Sequence, residues 1–341
     1  MVAKRHAGVP TLEEVAALAG VGRGTVSRVI NDAPGVRDST RSLVQRAIAE
    51  LGYVPDRAAR ALAGSRAGAV ALVVPEPTRR FFTEPFFSDI VHGVGAGLTD
   101  ADVQLMLTLV RTGEERHRFV QYARAGGVDG VLLVSAHDGE PLPDMLAEAG
   151  VPTVLCGRRD GAESMSYVDS DNTGGARAAV GHLAGHGRRA VATITGPLDM
   201  YAARCRLRGY QEAVDEAFGG ADPSWVACGD FTEESGRRAA GELLARHPRL
   251  DAVFAASDVM AAGALHTLRA AGRRVPDDVA VVGFDDSPIA RHTDPRLTSV
   301  RQPVEEMGRA MARVLLEAVG DRGAARRQVV LGTELVRRAS A

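Results

Sequence analysis

Apolar residues in the first 54 positions recur with the spacing of short amphipathic helices. Leu12, Val15 and Ala19 share one helical face, and Thr11 with Glu14 has the form of a capping box. The pattern predicts helices over residues 12–19, 23–31 and 40–51, the last capped by Ser39. Two short helices joined by a glycine-containing turn and steadied by a third predict a helix-turn-helix.

Residues 55–66 differ in character from the helices before them. Asp56 can cap a helix of about two turns that Gly64 can end, and Leu62 is its only large apolar residue. So short a helix, with so little apolar surface to bury, is marginal alone and is expected to form on binding.

From residue 67 onward, short apolar runs alternate with longer amphipathic stretches. Strands are predicted over residues 69–74, 103–109, 128–134, 151–155, 190–194, 225–228, 252–255 and 279–283. Continuous apolar strands separated by helices predict parallel sheets covered on both faces. Eight or more strands over about 270 residues favour two doubly wound lobes, with a ligand in the cleft between them, at the carboxyl ends of the strands.

Charge is distributed unevenly along the 341 residues, although the formal net charge is only −2. Residues 1–66 contain ten Lys or Arg and six Asp or Glu, a net charge of +4, whereas the remainder carries −6. A basic head on an acidic body indicates a polyanion-binding module joined to a second domain.

Several classes of protein are excluded by what the sequence lacks. No apolar run approaches the ~18 residues of a membrane span, and residues 1–10 do not resemble a signal peptide, so a cytoplasmic, nucleoid-associated protein is expected. Three cysteines without C-x-x-C spacing indicate neither disulfides nor a zinc site. A phosphate-binding G-x-x-x-x-G-K-[ST] loop is impossible because Lys4 is the only lysine. No cofactor, metal or enzymatic activity is therefore expected.

The second predicted helix carries groups suited to reading DNA. The guanidinium groups of Arg23 and Arg28 can pair bidentately with guanine O6 and N7, and the Thr25 and Ser27 hydroxyls suit phosphate or base contacts. The alternative is that both arginines lie on an ordinary solvated helix face.

These segments resemble the lactose/galactose repressor (LacI/GalR) family of bacterial transcription regulators. The resemblance is carried by TLEEVAALAGVGRGTVSRVIN and TRSLVQRAIAELGYVPDRAARALAG, and it continues through VDSDNTGGARAAVGHLAGHGRR, RCRLRGY, DAVFAASDVMAAGAL, VPDDVAVVGFDD and LTSVRQP. It covers nearly the whole chain in the family's order. The implied fold is an all-α helix-turn-helix headpiece and hinge helix followed by a two-lobed α/β, periplasmic-binding-protein-like effector domain.

The resemblance implies a set of DNA-contacting residues in the headpiece and hinge. Leu62 matches the leucine that family dimers wedge into the minor groove; otherwise it is a linker residue packed on the headpiece. Gly22 departs from the family's common Ser, which removes a hydroxyl from the start of the recognition helix. The implied DNA-binding residues are Thr11, Arg23, Gly24, Thr25, Ser27, Arg28, Asn31, Tyr53 and Leu62.

The resemblance also implies an effector site in the cleft. Arg206 matches the family's ligand-clamping arginine, and Asp285 matches the acid that accepts hydrogen bonds from ligand hydroxyls or amines. Gly157 departs from a common Asp, which removes one acceptor. Alternatively, Arg206 and Asp285 form a structural ion pair, and Phe87 and Phe231, which match aromatic positions facing the ligand, are ordinary core residues. The implied effector-binding residues are Phe87, Arg206, Phe231, Ser257, Asp285 and Gln302.

We expect a transcriptional regulator, and more specifically a repressor, that binds a palindromic operator as a homodimer. A small-molecule effector, a sugar or related metabolite, is expected to control its affinity. The predicted divisions are residues 9–54 for the headpiece, 55–66 for the hinge, 67–157 with 289–319 for the N-lobe, and 158–288 with 320–341 for the C-lobe. The alternative from another class is a metabolic enzyme or sensor with a vestigial headpiece.

Overall fold

The computed structural model describes residues 10–30, 33–53, 67–159, 164–321 and 323–341. Its contacts divide the chain into two compact units, residues 1–67 and 68–341, which are described separately. The predicted hinge at 55–66, including Leu62, lies outside the described residues, and so does Asn31.

The first unit contains the three predicted helices. They are α1 (Leu12–Ala19), α2 (Arg23–Ile30) and α3 (Asp38–Leu51). The capping box forms as predicted, because the Glu14 amide donates to Thr11 Oγ1 at 3.3 Å and the Thr11 amide donates to Glu14 Oε2 at 2.8 Å. The prediction that Ser39 caps α3 was wrong. The helix begins one residue earlier, at Asp38, and Arg37 occupies the N-cap position. Fully buried Val15, Val26 and Val44 form the centre of this small core.

The second unit contains two six-stranded sheets. Its strands are β1 (Ala69–Val74), β2 (Gln104–Leu109), β3 (Gly130–Val134), β4 (Thr153–Cys156), β5 (Ser166–Ser170), β6 (Val191–Thr195), β7 (Val226–Cys228), β8 (Ala252–Ala255), β9 (Ala280–Asp285), β10 (Thr298–Arg301), β11 (Gln328–Leu331) and β12 (Glu334–Val336). The first sheet has the order β11-β5-β4-β3-β1-β2, and its strands are parallel. The second has the order β12-β10-β9-β8-β6-β7 and is parallel except that β12 runs antiparallel to β10.

Helices cover both faces of each sheet. They are α4 (Thr78–Thr83), α5 (Pro85–Gly97), α6 (Gly113–Tyr122), α7 (Leu142–Glu148), α8 (Asn172–Gly185), α9 (Tyr201–Phe218), α10 (Glu233–Arg246), α11 (Asp258–Ala270), α12 (Pro288–His292) and α13 (Val304–Gly320). All six residues of β1 are buried, as expected for a central parallel strand. Two apolar cores flank each sheet, which agrees with the predicted doubly wound lobes.

The boundaries between the lobes differ from the predicted ones. The chain crosses between the sheets after β5, after β10 and between β11 and β12. β5 and β11 therefore belong to the N-lobe, and β10 belongs to the C-lobe, the reverse of the predicted division. Each crossing comes later in the chain than expected, because a strand with polar residues precedes it and was not recognised. No helix in the described ranges is long and apolar enough to cross a membrane.

Candidate functional sites

A cavity lies at the carboxyl ends of the strands, between the two sheets, and its space of about 580 Å³ includes a part that is open to solvent. This is where ligands bind in open parallel sheets. Five of the six predicted effector residues line it, namely Phe87, Arg206, Phe231, Asp285 and Gln302. We call this cavity the first chamber.

Arg206 is held in the first chamber by hydrogen bonds and by an aromatic ring. Its Nε donates to Asn172 Oδ1 at 2.8 Å and its Nη1 donates to the Ala256 carbonyl at 2.6 Å. The guanidinium carbon lies 3.8 Å from the centroid of the Phe284 ring. Burial lowers the pKa of Arg206, and nearby carboxylates oppose that shift. Packing and hydrogen bonds thus fix the direction in which this cation faces the cavity.

Asp285 lies beside Arg206 in the lining of the chamber, with Oδ1 3.5 Å from Arg206 Nη1. The Gln302 amide donates to the same oxygen at 2.8 Å. Burial raises the pKa of Asp285 well above its usual value, against the opposing effect of the Arg206 charge. The ion pair is long and incomplete, so both groups retain hydrogen-bonding capacity toward the cavity.

Three phenylalanines, Phe86, Phe87 and Phe231, contribute apolar surface to the first chamber. Phe87 on α5 is 1% exposed, and Phe231 in the loop before α10 is 7% exposed. Phe231 has a φ of 68°, and Ser135 and Asp285, which also line the cavity, have φ values of 65° and 109°. Left-handed backbone at non-glycine residues costs energy and concentrates at functional sites. Gly196 makes room for the Phe231 ring, since a Cβ at residue 196 would lie 2.1 Å from it.

Ser257 does not line the first chamber, unlike the other predicted effector residues. Its hydroxyl accepts from the Met260 amide at 3.2 Å and caps α11. The side chain is buried at the N-terminus of that helix, where a hydroxyl has an ordinary structural role.

Sequence reasoning missed five polar residues that line the first chamber: Arg80, Glu84, Ser135, Asp169 and Asn172. Arg80 donates to Glu84 at 2.9 Å and to Glu76 at 2.7 Å, and its guanidinium lies 5.4 Å from the Phe231 ring. Burial raises the pKa values of Glu84 and Asp169. Asp169 lies at the end of β5 and Asn172 begins α8 directly after that strand, so recognising β5 could have found both residues.

Contacts close the cleft beside the chamber. Arg204 of the C-lobe donates to both carboxylate oxygens of Asp138 of the N-lobe, at 2.6 and 3.1 Å. His137 contacts Asp199 Oδ2 at 2.8 Å, and the Asp138 amide donates to the Asp199 carbonyl at 2.7 Å. A hydrogen bond to Glu76 raises the pKa of His137, and the Asp199 contact adds to this shift. These residues form a latch between the lobes, which we call the Asp138–Arg204 latch.

The three segments that cross between the lobes are bonded to one another. The Asp171 amide donates to the Leu331 carbonyl at 2.8 Å, and Ser170 Oγ donates to Gln302 Oε1 at 2.8 Å. Thr333 Oγ1 donates to the Asp171 carbonyl at 3.2 Å. The three crossing segments between the lobes are therefore one connected unit, and this unit includes Gln302, which lines the first chamber.

In the headpiece, α2 presents Arg23, Gly24 and Arg28 on an exposed surface, with Thr25 and Ser27 half-buried beside them. Arg23 Nη1 forms an exposed ion pair with Glu13 at 2.9 Å. A cation in such a pair remains available to a stronger anion, because exposed pairs contribute little energy.

Thr11 and Tyr53 have structural contacts in the headpiece. Thr11 belongs to the capping box, and Tyr53 is 9% exposed in the helical core. Gly22, which replaces a hydroxyl residue common in the family, offers its carbonyl to the Thr25 amide at 2.9 Å. The first turn of α2 thus begins without a side-chain cap from residue 22.

Comparison with known proteins agrees with this arrangement. A model of bacterial regulatory proteins, lacI family, matches residues 11–56, and one of a periplasmic binding protein-like domain matches residues 180–341. The transcriptional regulator CelR of Thermobifida fusca is 54% identical over 333 residues, which cover 97% of this chain and 98% of CelR.

Solved structures show the same similarity over the whole chain. A CelR–cellobiose complex superposes with a TM-score of 0.79 at 52% identity, covering 97% of this chain and 100% of that one. A Lac repressor dimer bound to operator and the anti-inducer ONPF gives 0.84 at 27% identity, covering 98% and 99%.

The fold and the relatives define a helix-turn-helix transcriptional regulator with a periplasmic-binding-like domain. The chain belongs to the lacI family of bacterial regulatory proteins. The family and fold class predicted from sequence are confirmed, and the relatives are transcriptional regulators rather than enzymes.

Proposed function

We propose that the protein is a repressor that binds a palindromic operator as a homodimer and releases it when a neutral sugar occupies the first chamber. The observation that supports the effector proposal is the incomplete Arg206–Asp285 pair, which is 3.5 Å long and lines the same chamber as Phe87 and Phe231. A guanidinium donates to sugar oxygens, a carboxylate accepts from sugar hydroxyls, and aromatic rings cover the apolar face of a pyranose.

The charges around the chamber favour a neutral ligand over an anionic one. Three carboxylates, Glu84, Asp169 and Asp285, line the chamber together with Arg80 and Arg206. Arg80 already bonds two glutamates and Arg206 lies beside Asp285, so carboxylates offset the positive charge that an added phosphate or carboxylate would need. The 54% identity to CelR, whose solved complex contains cellobiose, makes cellobiose the first sugar to test.

The proposed operator contacts come from α2. Arg23 and Arg28 read base edges, Thr25 and Ser27 contact the backbone, and Gly24 allows close approach to the groove. The proposed contacts of Thr11, Asn31, Tyr53 and Leu62 rest on the family resemblance. Two-fold symmetry of a homodimer places two such helices on two half-sites.

The experiment is selection of bound duplexes from random DNA by the full-length protein, followed by titration with cellobiose, maltose and lactose. A palindromic consensus and its release by a neutral disaccharide are expected. Arg28→Ala should weaken operator binding by about 10- to 100-fold, the range for one bidentate base contact. A featureless selection, or operator affinity unchanged by Arg28→Ala, contradicts the DNA proposal.

A matched variant tests the effector proposal. Asp285→Asn keeps the size of the side chain and removes the charge that accepts sugar hydroxyls, so sugar should no longer release DNA while operator affinity persists. An unaltered sugar response of Asp285→Asn contradicts the assigned site, and the absence of any response in the unmodified protein contradicts sugar regulation itself.

A further inference from the structure

A histidine joins the two lobes outside the lining of the first chamber. His137 follows β3 of the N-lobe, and its Nε2 is 2.9 Å from Oε1 of Glu76, which follows β1 of the same lobe. Its Nδ1 is 2.8 Å from Oδ2 of Asp199, which lies in the C-lobe between β6 and α9. One imidazole ring thus contacts a carboxylate of each lobe. We call these three residues the His137 bridge.

Both contacts of the His137 bridge are satisfied only when the ring is protonated. A neutral imidazole has one N–H and one lone pair, so it donates to one carboxylate and directs its lone pair at the other. An imidazolium donates from both nitrogens, and each contact becomes a charge-assisted hydrogen bond. The geometry of the bridge therefore selects the protonated form of His137.

Glu76 stays a carboxylate, so it does not supply the bridging proton. Burial raises its pKa, but the hydrogen bond from His137 and the charge of Arg80 outweigh that effect and leave the pKa of Glu76 below its ordinary value. Its Oε1 accepts from Arg80 Nη1 at 2.7 Å and from Ser135 Oγ at 2.6 Å. The proton of the bridge therefore resides on His137.

The other charged groups near the ring already have partners. Arg204 donates to Asp138 at 2.6 Å, and Arg116 donates to Glu140 at 2.6 Å. Besides Glu76 and Asp199, the segments that carry the bridge place near the ring Arg80, Asp138, Glu140 and Arg204.

Asp199 is the partner that His137 loses when the lobes separate. Within the described ranges, Asp199 forms an ion pair with His137 alone. Glu76 and His137, in contrast, follow β1 and β3, which are neighbouring strands of one sheet, so these two residues move together. Opening of the cleft therefore leaves the ring with one carboxylate instead of two.

We propose that closure of the two lobes takes up a proton at His137, which makes closure sensitive to pH. In the closed form, hydrogen bonds to Glu76 and Asp199 raise the pKa of His137 against the opposing effect of burial. Loss of Asp199 on opening makes the pKa of His137 lower in the open form. The closed form therefore binds more protons at pH values above the ordinary histidine value of about 6.5, and closure is lost as pH rises through that range. An effector that binds the closed form then binds more tightly at low pH, a consequence that rests on the proposed function.

Two measurements on the full-length protein without sugar test the inference. NMR of protein labelled in its histidine rings gives the pKa of His137, whose signal is identified by its loss in His137→Gln. Asp199→Asn keeps the shape of the side chain and removes its charge, so it should lower the pKa of His137. Small-angle scattering should show more compact lobes at about pH 6 than at about pH 8.5. The ratio of closed to open forms should change by up to about fivefold, the size of one partly exposed ion pair.

Matched variants identify the titrating group. His137→Gln and Asp199→Asn should both remove the pH dependence of the scattering. His117→Gln, which replaces an exposed histidine of α6, is the control and should retain it. Circular dichroism at both pH values identifies any variant that unfolds. An unchanged pKa of His137 in Asp199→Asn, or scattering that is independent of pH or equally pH-dependent in His137→Gln, overturns the proposal.

Calorimetric titration with cellobiose in two buffers of different ionisation enthalpy tests the link to the effector. The unmodified protein should take up part of a proton for each sugar bound at slightly alkaline pH, and Asp199→Asn should take up less. Sugar binding without proton uptake overturns the coupling between the bridge and the effector. Failure of cellobiose to bind contradicts the proposed sugar, and the two sugar-free measurements still decide whether the His137 bridge controls closure.

Discussion

Arg204→Ala should loosen closure of the lobes and thereby weaken sugar binding. Arg204 of α9 bonds both oxygens of Asp138 across the cleft, at 2.6 and 3.1 Å. Its bond to the Leu198 carbonyl lies within the C-lobe and does not report on closure. Replacing Arg204 therefore removes a contact that exists only when the lobes are together.

The magnitude follows from the exposure of the pair. The Arg204 and Asp138 side chains are 22% and 46% exposed, so solvent screens the pair and its bidentate geometry contributes about 1 kcal/mol. That free energy corresponds to roughly a fivefold change in the ratio of closed to open forms. Since only the closed form surrounds the ligand, sugar affinity should fall by up to about fivefold.

A double-mutant cycle measures the coupling directly. Sugar dissociation constants are measured by calorimetry for the unmodified protein, Arg204→Ala, Asp138→Ala and the double variant, and small-angle scattering records the opening of the lobes. Arg208→Ala on the exposed side of the same helix is the control for loss of charge. Fully additive effects, or an unchanged sugar affinity in Arg204→Ala, refute the role of the Asp138–Arg204 latch.

Two further predictions concern stability of the second unit. Burial raises the pKa of Asp258 to about 7, although hydrogen bonds from the Ser299 hydroxyl and the Ser287 amide oppose this shift. The folded protein therefore binds more protons than the unfolded chain between about pH 4 and 7. Stability should fall as pH rises through that window, and chemical denaturation of Asp258→Asn should show a flatter profile, whereas an identical slope contradicts the assignment. Gly93→Ala should lower the free energy of unfolding by about 1–3 kcal/mol, because a Cβ there would lie 2.2 Å from the Glu305 carbonyl between α5 and α13; an unchanged thermal midpoint contradicts this close packing.

Local signals in the sequence predicted the three helices of the headpiece, although not the cap of α3. The Thr11–Glu14 capping box starts α1, and Gly20 and Gly52 end α1 and α3 in the left-handed conformation, because these devices act within a few residues. The apolar runs likewise predicted the central strands, which are buried on both faces. Each of these features depends on neighbours in the sequence, which a single chain displays.

The lobe boundaries and part of the site depended on distant contacts. β5 ends in Asp169 and Ser170, and both polar side chains are buried. Asp169 accepts a hydrogen bond from Asn172, and Ser170 donates one to Gln302, beside the first chamber. Polar residues in a buried strand contradict the hydrophobic pattern, so the strand and the site residues on it were missed together. The proposed effector site accounts for this conflict, because local sequence rules are most often broken at binding sites. Ser257 is the converse case, a family position whose side chain serves as a helix cap.

The hydrogen bonds between the crossing segments and the first chamber indicate how a ligand can act on the lobes. Gln302 donates to Asp285 with its nitrogen and accepts from Ser170 with its oxygen, so one side chain joins the chamber to two crossing segments. Arg206 also contacts the first crossing segment, because it donates to Asn172, which in turn donates to the Ser170 carbonyl. A ligand that draws Asp285 or Arg206 toward itself must change the partners of Gln302 or Asn172. The difference in ligand affinity between the two hydrogen-bonding arrangements then sets the coupling free energy between the chamber and the crossing segments.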